Sequence, residues 1–217
     1  MTAAILAAAG AGERAASADP LPKQFRLLAG RPLISWSLDV LRSVCDPVVV
    51  AVPADHIDDA RSLLDDGVVI TAGGATRQES VMRALDEITS EQVIVHDAAR
   101  PFVTKELVTA VIDALDDVDG AIAVVPVQDT VKRVEQGRIV ETLDRDGLCA
   151  AQTPQAFKTA VLREAHEAAR RAGYHATDDA QLIEWRGGRV AVVEGSPLNI
   201  KITAASDFDI AEALARR

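Results

Sequence analysis

Short runs of Val, Ile, Leu and Ala alternate along this chain with longer segments in which apolar residues recur every three or four positions. The short runs cover Ala3 to Ala8, Val48 to Val52, Val68 to Thr71, Val93 to Val95, Ala121 to Val125 and Val190 to Val193, each the length of a buried strand. Between them, "PLISWSLDVLRSV", "HIDDARSLLDD", "TRQESVMRALDEI" and "TKELVTAVIDALDD" carry the helical spacing, and two of these begin with a Thr that can cap a helix. Strand and helix in this order predict an α/β fold: a doubly wound, mainly parallel sheet with helices on both faces.

One stretch breaks the rhythm. From Asp129 to Arg145, "DTVKRVEQGRIVETLDR" reads as two polar, β-branched strands around a turn at Glu135-Gln136-Gly137. Neither arm has a continuous apolar face, so the hairpin is expected to project from the sheet. An isolated hairpin is marginal in water, which points to a partner surface. The expected organisation is a single domain over 1–217 with a β-hairpin arm at about 127–148.

Composition narrows the chemistry. The chain has 217 residues, a net charge of −10 and 48% apolar residues with few aromatics, so the core must be built from Ala, Val, Ile and Leu. Such acidity argues against coating nucleic acid or an anionic membrane, and any anionic ligand must meet a local cationic site. Cys45 and Cys149 suggest neither a disulfide framework nor a zinc site and are expected to be reduced, buried thiols. The apolar start is too short and lacks the basic flank of a signal peptide, so a soluble cytoplasmic protein is expected.

The opening "AILAAAGAGERAASADPLPKQF" raises the question of what a glycine-bearing loop followed by Arg14 and Lys23 holds. A P-loop would need Gly-Lys-Ser/Thr, whereas Gly12 is followed by Glu13-Arg14. Gly10, Gly12 and Ala15 fit the dinucleotide fingerprint, but two prolines prevent the helix that must follow, and the acid expected after the second strand comes too late. What remains is a wide loop whose amides can approach phosphate oxygens, with Arg14 and Lys23 as cations suited to a triphosphate. Later strand ends repeat the theme. "AGGATRQES" offers Gly73, Gly74, Arg77 and Ser80, and "VHDAARPF" offers Asp97 for a metal or a ribose hydroxyl and Arg100 for an anion. "VQDT" gives Thr130, a bend at "QTPQ" gives Thr153, and "NIKIT" sets Lys201 after the last strand.

"LAAAGAGERAASADPLPKQF", "GGATRQESV", "HDAARPF", "DTVKR", "DRDGL", "QTPQAF", "TDDA" and "NIKIT", in this order and spacing, resemble the 2-C-methyl-D-erythritol 4-phosphate cytidylyltransferases of the non-mevalonate isoprenoid pathway. The resemblance runs from Ala3 to about Thr203. It implies a Rossmann-like nucleotidyltransferase fold and a reaction in which a sugar-alcohol phosphate attacks the α-phosphate of CTP and releases pyrophosphate. It further implies catalytic roles for Arg14, Lys23 and Lys201. CTP would be held near Ala8, Ala9, Gly10, Gly12, Gly74, Ala75, Ser80 and Asp97, and the acceptor by Asp97, Arg100, Thr130, Arg145, Thr153 and Lys201. Magnesium would be bridged mainly by the CTP phosphates, with Asp97 as a further ligand. In the family, Thr130 and Arg145 would come from a neighbouring subunit's hairpin, giving a homodimer with shared sites. Ala75 stands where relatives often carry Asp. Ribitol 5-phosphate cytidylyltransferases share the opening loop, Thr-Pro-Gln and the ending, but typically show Ala-Gly-Gly and Asp-Ser-Val-Arg where this chain has Ala8-Ala9-Gly10 and Asp97-Ala98-Ala99-Arg100. A noncatalytic nucleotide-binding module is the reading from another class; it would not need Arg14, Lys23 and Lys201 together. His96 is expected to be a neutral core histidine, His56, His166 and His175 to be solvated, and Thr177 to Asp179 to cap a helix.

Overall fold

The computed structural model describes residues 1–10, 21–64 and 67–216; Gly12 and Arg14 lie outside the described residues. Strand β1 (Thr2–Ala7) is followed by a short ribbon of β2 (Leu27–Leu28) and β3 (Arg31–Pro32), helix α1 (Leu33–Arg42) and β4 (Val48–Val52). Then come α2 (Ile57–Leu63), β5 (Val69–Ala72), α3 (Arg77–Leu85), β6 (Gln92–Asp97), α4 (Lys105–Asp113) and β7 (Gly120–Pro126). The chain closes with β8 (Lys132–Glu135), β9 (Arg138–Thr142), β10 (Cys149–Lys158), α5 (Thr159–Ala172), α6 (Asp179–Trp185), β11 (Val190–Glu194) and α7 (Ala205–Ala215).

The strand runs read from the sequence all lie in one seven-stranded sheet, ordered β11-β7-β10-β6-β1-β4-β5. Because successive residues of a strand point to opposite faces, its buried residues fall into two sets. Ala4, Leu6, Val48 and Val50 pack with Ile34 and Leu38 of α1 and Val108 and Val111 of α4. Ala3, Ile5, Val49 and Val93 pack on the other side with Val81 and Leu85 of α3, Leu162 of α5 and Ile183 of α6. Burying each Leu, Ile or Val contributes roughly 1.5–3 kcal/mol, so two such layers make this sheet the rigid frame of the molecule. A smaller cluster of Leu28, Leu33, Ile202 and Ala211 docks α7 beside β2. Thr76 and Thr104 cap α3 and α4 as expected, and Asp178 caps α6 by accepting from the Gln181 amide. Gly173, at φ +63°, ends α5 in the left-handed conformation.

Strand β10 departs from the sequence reading. It is antiparallel to both β6 and β7 and sits between them, with a register shift between Ala151 and Gln155, so the bend expected at Thr153 lies inside a strand. Its polar residues conceal it, yet they are buried because each is hydrogen-bonded: Gln155 donates to Asp178 at 2.9 Å, and Gln152 donates to the Ser196 carbonyl at 2.9 Å. Two further expectations are corrected. Cys149 is exposed, because that end of β10 pairs only with β7 and runs past the end of β6. His166 is buried, on the α5 stripe that also carries Leu162 and Ala169. Cys45 is buried as expected, and burial pushes its thiol up to about 12.

The hairpin of β8 and β9 forms a separate two-stranded sheet, turning at Gln136 and Gly137, whose φ angles are +49° and +76°. Both of its strands are exposed along their whole length. Among the described residues, no helix is long and apolar enough to cross a membrane.

Candidate active site

The chain leaves β1 toward β4 and β5 on one side and returns in β6 on the other, so β1 and β6 flank the point where the winding reverses. In open α/β sheets, ligands bind in the crevice at the carboxyl ends of such strands. A cleft of about 410 Å³ lies there, lined by Ala7 to Gly10 after β1, Ala75, Arg77 and Ser80 around the start of α3, and Asp97 to Ala99 after β6. Lys23, Gln24, Leu33, Lys201 and Thr203 complete the lining.

A chain of ion pairs braces the cleft. Arg77 opens α3 and divides its guanidinium: Nε donates to Asp97 Oδ1 at 2.8 Å and Nη1 to Asp179 Oδ2 at 2.7 Å. The other Asp97 oxygen receives Lys201 Nζ at 2.5 Å, and the other Asp179 oxygen lies 3.1 Å from His166 Nε2. The Asp97 side chain is 9% exposed and that of Asp179 1%. Burial by itself would push the Asp97 carboxyl up, but Arg77 and Lys201 outweigh it and hold the group well below the usual carboxylate range. Asp179 is lowered in the same way, its burial outweighed by Arg77 and His166. For Arg77, burial is overcome by Asp179 and Asp97, which raise its pKa. Removing Arg77 from this set costs about 3–5 kcal/mol, because the buried Asp179 carboxylate is left without its guanidinium partner.

A neutral network lies beneath the ion pairs. His96 is fully buried, its Nε2 3.0 Å from the Arg100 carbonyl and its Nδ1 3.1 Å from Thr153 Oγ1. A carbonyl can only accept, so Nε2 carries the proton and Nδ1 accepts from the Thr153 hydroxyl. That hydroxyl in turn accepts from the Asp97 amide at 3.0 Å. Burial pushes His96 down to about 4, keeping it the neutral core histidine that the sequence predicts. Arg100 is held close to the same floor, donating to the Asn199 carbonyl at 2.7 Å, and burial lowers its pKa. Lys23 donates to the Ile202 carbonyl, tying the Pro-Lys-Gln segment to the strand of chain that presents Lys201.

Opposite these groups the glycine loop after β5 is tightly built. The Ser80 hydroxyl accepts from the Gly74 amide at 3.0 Å and donates to the Thr76 carbonyl at 2.8 Å. Glu79 accepts from the Ala75 amide at 2.9 Å. A Cβ on Gly73 would lie 2.1 Å from that of Ala9, so glycine is what lets this loop approach the end of β1.

The family model of 2-C-methyl-D-erythritol 4-phosphate cytidylyltransferase matches residues 2–217. The chain belongs to that family. It is 42% identical over 230 residues to the 2-C-methyl-D-erythritol 4-phosphate cytidylyltransferase of Paraburkholderia phymatum, covering 99% of this chain and 96% of that one. It is also 42% identical over 220 residues to the bifunctional enzyme IspD/IspF of Chelativorans sp., covering 97% of this chain and 54% of that one, so the chain spans about half the length of such bifunctional relatives. The crystal structure of the cytidylyltransferase from Thermus thermophilus superposes with a TM-score of 0.84 at 40% identity, covering 99% of this chain and 98% of that one.

The cytidylyltransferase motifs converge unevenly. Ala8, Ala9, Gly10, Lys23, Ala75, Ser80, Asp97 and Lys201 line the cleft, with Gly74 in the adjoining loop. Arg100 and Thr153 lie behind Asp97, Thr153 being buried with its hydroxyl already engaged. Thr130 and Arg145 are not at this cleft; both are exposed at the base of the hairpin, where Arg145 donates to the Gln128 carbonyl. Asp179 and His166, which the sequence predicts as part of a helix cap and as a solvated histidine, are members of the site's chain of polar pairs. The signal was present: His166 stands four residues after Leu162 on α5, and Asp179 follows the Asp178 cap.

Proposed function

We propose that this protein joins CTP to 2-C-methyl-D-erythritol 4-phosphate, giving 4-diphosphocytidyl-2-C-methyl-D-erythritol and pyrophosphate. The observation that carries this reading is the meeting of Lys23, Lys201 and Asp97 in one cleft at the switch point of a sheet that matches the cytidylyltransferase family from end to end. An oxygen of the acceptor phosphate attacks the α-phosphorus of CTP in line, and the bond to the bridging oxygen of pyrophosphate breaks. The nucleophile is already an anion at neutral pH, so no protein base is required, which fits a neutral, buried His96 away from the reacting groups. Catalysis rests on positioning and on neutralising the crowded phosphates.

In this reading Lys23, with Arg14 from outside the described residues, holds the triphosphate and the α-phosphate, and Lys201 draws in the same phosphate. The strand end at Ala8 to Gly10, with Gly12 beyond it, and the Gly74-Ala75 loop read the cytosine through backbone groups. Because Ser80 and Glu79 already take the amides of Gly74 and Ala75, and Arg83 donates to the Gly73 carbonyl, the loop is left with the carbonyl oxygens of Gly74 and Ala75 for the base's amino group. Asp97, Arg100 and Thr153 shape the acceptor side. Both Asp97 oxygens are engaged by cations, so the donors fit a magnesium ion delivered by the nucleotide phosphates better than one caged by the protein. When bound, that ion supplies positive charge to the phosphates.

The exposed hairpin, with Val134, Ile139 and Val140 uncovered, fits a dimerisation arm that carries Thr130 and Arg145 to a second subunit's site. An acidic chain acting on two water-soluble phosphates suits the cytoplasm. Pyrophosphate release from CTP and magnesium, measured with methylerythritol phosphate, with ribitol 5-phosphate and with no acceptor, tests the reading. Release is expected with the first alone; equal or faster release with ribitol phosphate, or none with either, would overturn it.

A further inference from the structure

Lys201 has two tasks that conflict. It is bound to Asp97 at 2.5 Å, yet its side chain is 40% exposed at the cleft, where an incoming phosphate must compete for it. If Asp97 had no other cation, drawing Lys201 away would strand a buried carboxylate, and Lys201 would be held back from the phosphate. Arg77 removes the conflict. It occupies Asp97 Oδ1 while Lys201 occupies Oδ2, so the departure of one leaves the other in place. Arg77 cannot follow the phosphate itself, because its fork is divided between Asp97 at the end of β6 and Asp179 at the start of α6, and Asp179 is fixed from behind by His166. Arg77 thus joins α3, β6, α6 and α5 at one point, whereas Lys201 comes from the segment before α7.

We propose that Arg77, anchored by Asp179 and His166, is a positioning residue that holds the Asp97 carboxylate in place while Lys201 exchanges between Asp97 and the substrate phosphate. The inference rests on the roles given above to Lys201 and Asp97. It assigns Arg77 no contact with substrate, and it separates a tie needed only for folding from one needed during turnover.

The test is a double-mutant cycle on the full chain, read as steady-state pyrophosphate release. Arg77→Gln is expected to lower kcat about 100-fold, the scale of a misplaced catalytic group, with little change in KM for CTP. In an Asp97→Asn background, where Arg77 has no carboxylate left to hold at the cleft and only its tie to Asp179 remains, adding Arg77→Gln is expected to cost no more than about twofold in kcat. An Arg77 that merely ties α3 to α6 through Asp179 would give the same loss in both backgrounds, or a rise in KM alone, and either result overturns the proposal. Should Arg77→Gln not fold, as judged by circular dichroism, Arg77→Lys goes through the same cycle. It can serve one carboxylate but cannot span two, so the same non-additivity is expected on a loss of about tenfold. Wild-type rates in both Lys201→Ala and Asp97→Asn would overturn the site reading itself. Loss of activity in those variants together with an additive Arg77→Gln would overturn only the positioning role.

Discussion

The cleft and the hairpin carry the same kinds of residue under opposite conditions. At the cleft, Asp97 and Asp179 are buried and every charged oxygen has a named partner. On the hairpin, Arg133 and Glu141 form a 3.1 Å pair whose side chains are 58% and 48% exposed, and such pairs contribute roughly 0–1 kcal/mol. The cleft is therefore preorganised by its own chain, whereas Thr130 and Arg145 have only the marginal frame of a two-stranded ribbon. The difference teaches that in the proposed reaction the cations meant to neutralise phosphate are held before substrate arrives, and that a segment lacking such bracing is expected to gain it from another surface.

The largest effect is expected where the cleft's bracing meets the substrate. Lys23 donates to the Ile202 carbonyl, so its position is set by the chain that also presents Lys201. Lys23→Ala should lower kcat about 10²–10³-fold, on the order of 3–4 kcal/mol, because it removes a preorganised donor to the charge developing in the transition state. KM for CTP should change far less. Normal turnover with only a raised KM would move Lys23 from catalysis to ground-state binding, and the contrast between a catalytic cleft and an auxiliary hairpin would lose its sharpest term.

The neutral layer under the cleft predicts a pH signature in stability. An ordinary histidine titrates near 6.5, whereas burial pushes His96 down to about 4, so between these values the unfolded chain binds the extra proton. A depressed pKa contributes stability that is fully present above 6.5 and is lost as pH falls toward 4, at up to about 1.4 kcal/mol per pH unit. Asp97 and Asp179, also lowered, lose their contribution only below 3.8, so their window lies beneath that of His96. Denaturant midpoints measured from pH 7 to pH 4 should fall accordingly, and His96→Gln should flatten the slope while leaving the fold intact. An unchanged slope in that variant would assign the acid sensitivity elsewhere.

A smaller effect should come from the glycine loop. Alanine at Gly73 would press its Cβ to 2.1 Å from that of Ala9 and 2.9 Å from Ser80 Oγ, groups that cannot retreat without moving the chain after β1 or the first turn of α3. At Gly74 the obstacle is the Glu79 side chain, which can swing aside at the cost of its bond to the Ala75 amide. Gly73→Ala should therefore raise KM for CTP by about tenfold or more, roughly the cost of one displaced contact, and Gly74→Ala by less. The reverse order would mean that the base is read chiefly by the Gly74 segment.

Much of this molecule is legible in the sequence, for reasons that differ by region. The strands of Val and Ile are legible because burial on both faces demands unbroken apolar runs, and α3 and α4 because a Thr cap precedes a helical stripe. The cleft residues are legible as motifs at strand ends. Strand β10 is not, because Gln152, Thr153, Pro154 and Gln155 read as a loop until their hydrogen bonds to Ser196, His96 and Asp178 are seen. Asp179 and His166 escape for the same reason: a buried polar side chain looks like a surface one until its partner, 102 residues away in the case of Arg77 and Asp179, is known.

The smallest effect on stability, and the sharpest test of the contrast, falls on the hairpin. Arg145→Ala removes an exposed side chain whose bond is to the neighbouring Gln128 carbonyl, so its melting should match wild type within about 0.5 kcal/mol. Activity should nonetheless fall about 10–100-fold if Arg145 grips an acceptor phosphate through a bidentate fork in a partner's cleft. The two halves of that statement separate when defective subunits are mixed. In a dimer of one Arg145→Ala and one Lys23→Ala subunit, one cleft keeps its own Lys23 and receives an intact Arg145, and the other lacks both. Random exchange makes about half the dimers mixed, each with one complete site, so activity should rise toward roughly a quarter of wild type. Each parent alone should stay near its own low rate. If subunit exchange is verified by mass and no activity returns, the hairpin serves its own chain, and the weakly braced arm would need a different reason to project from the sheet.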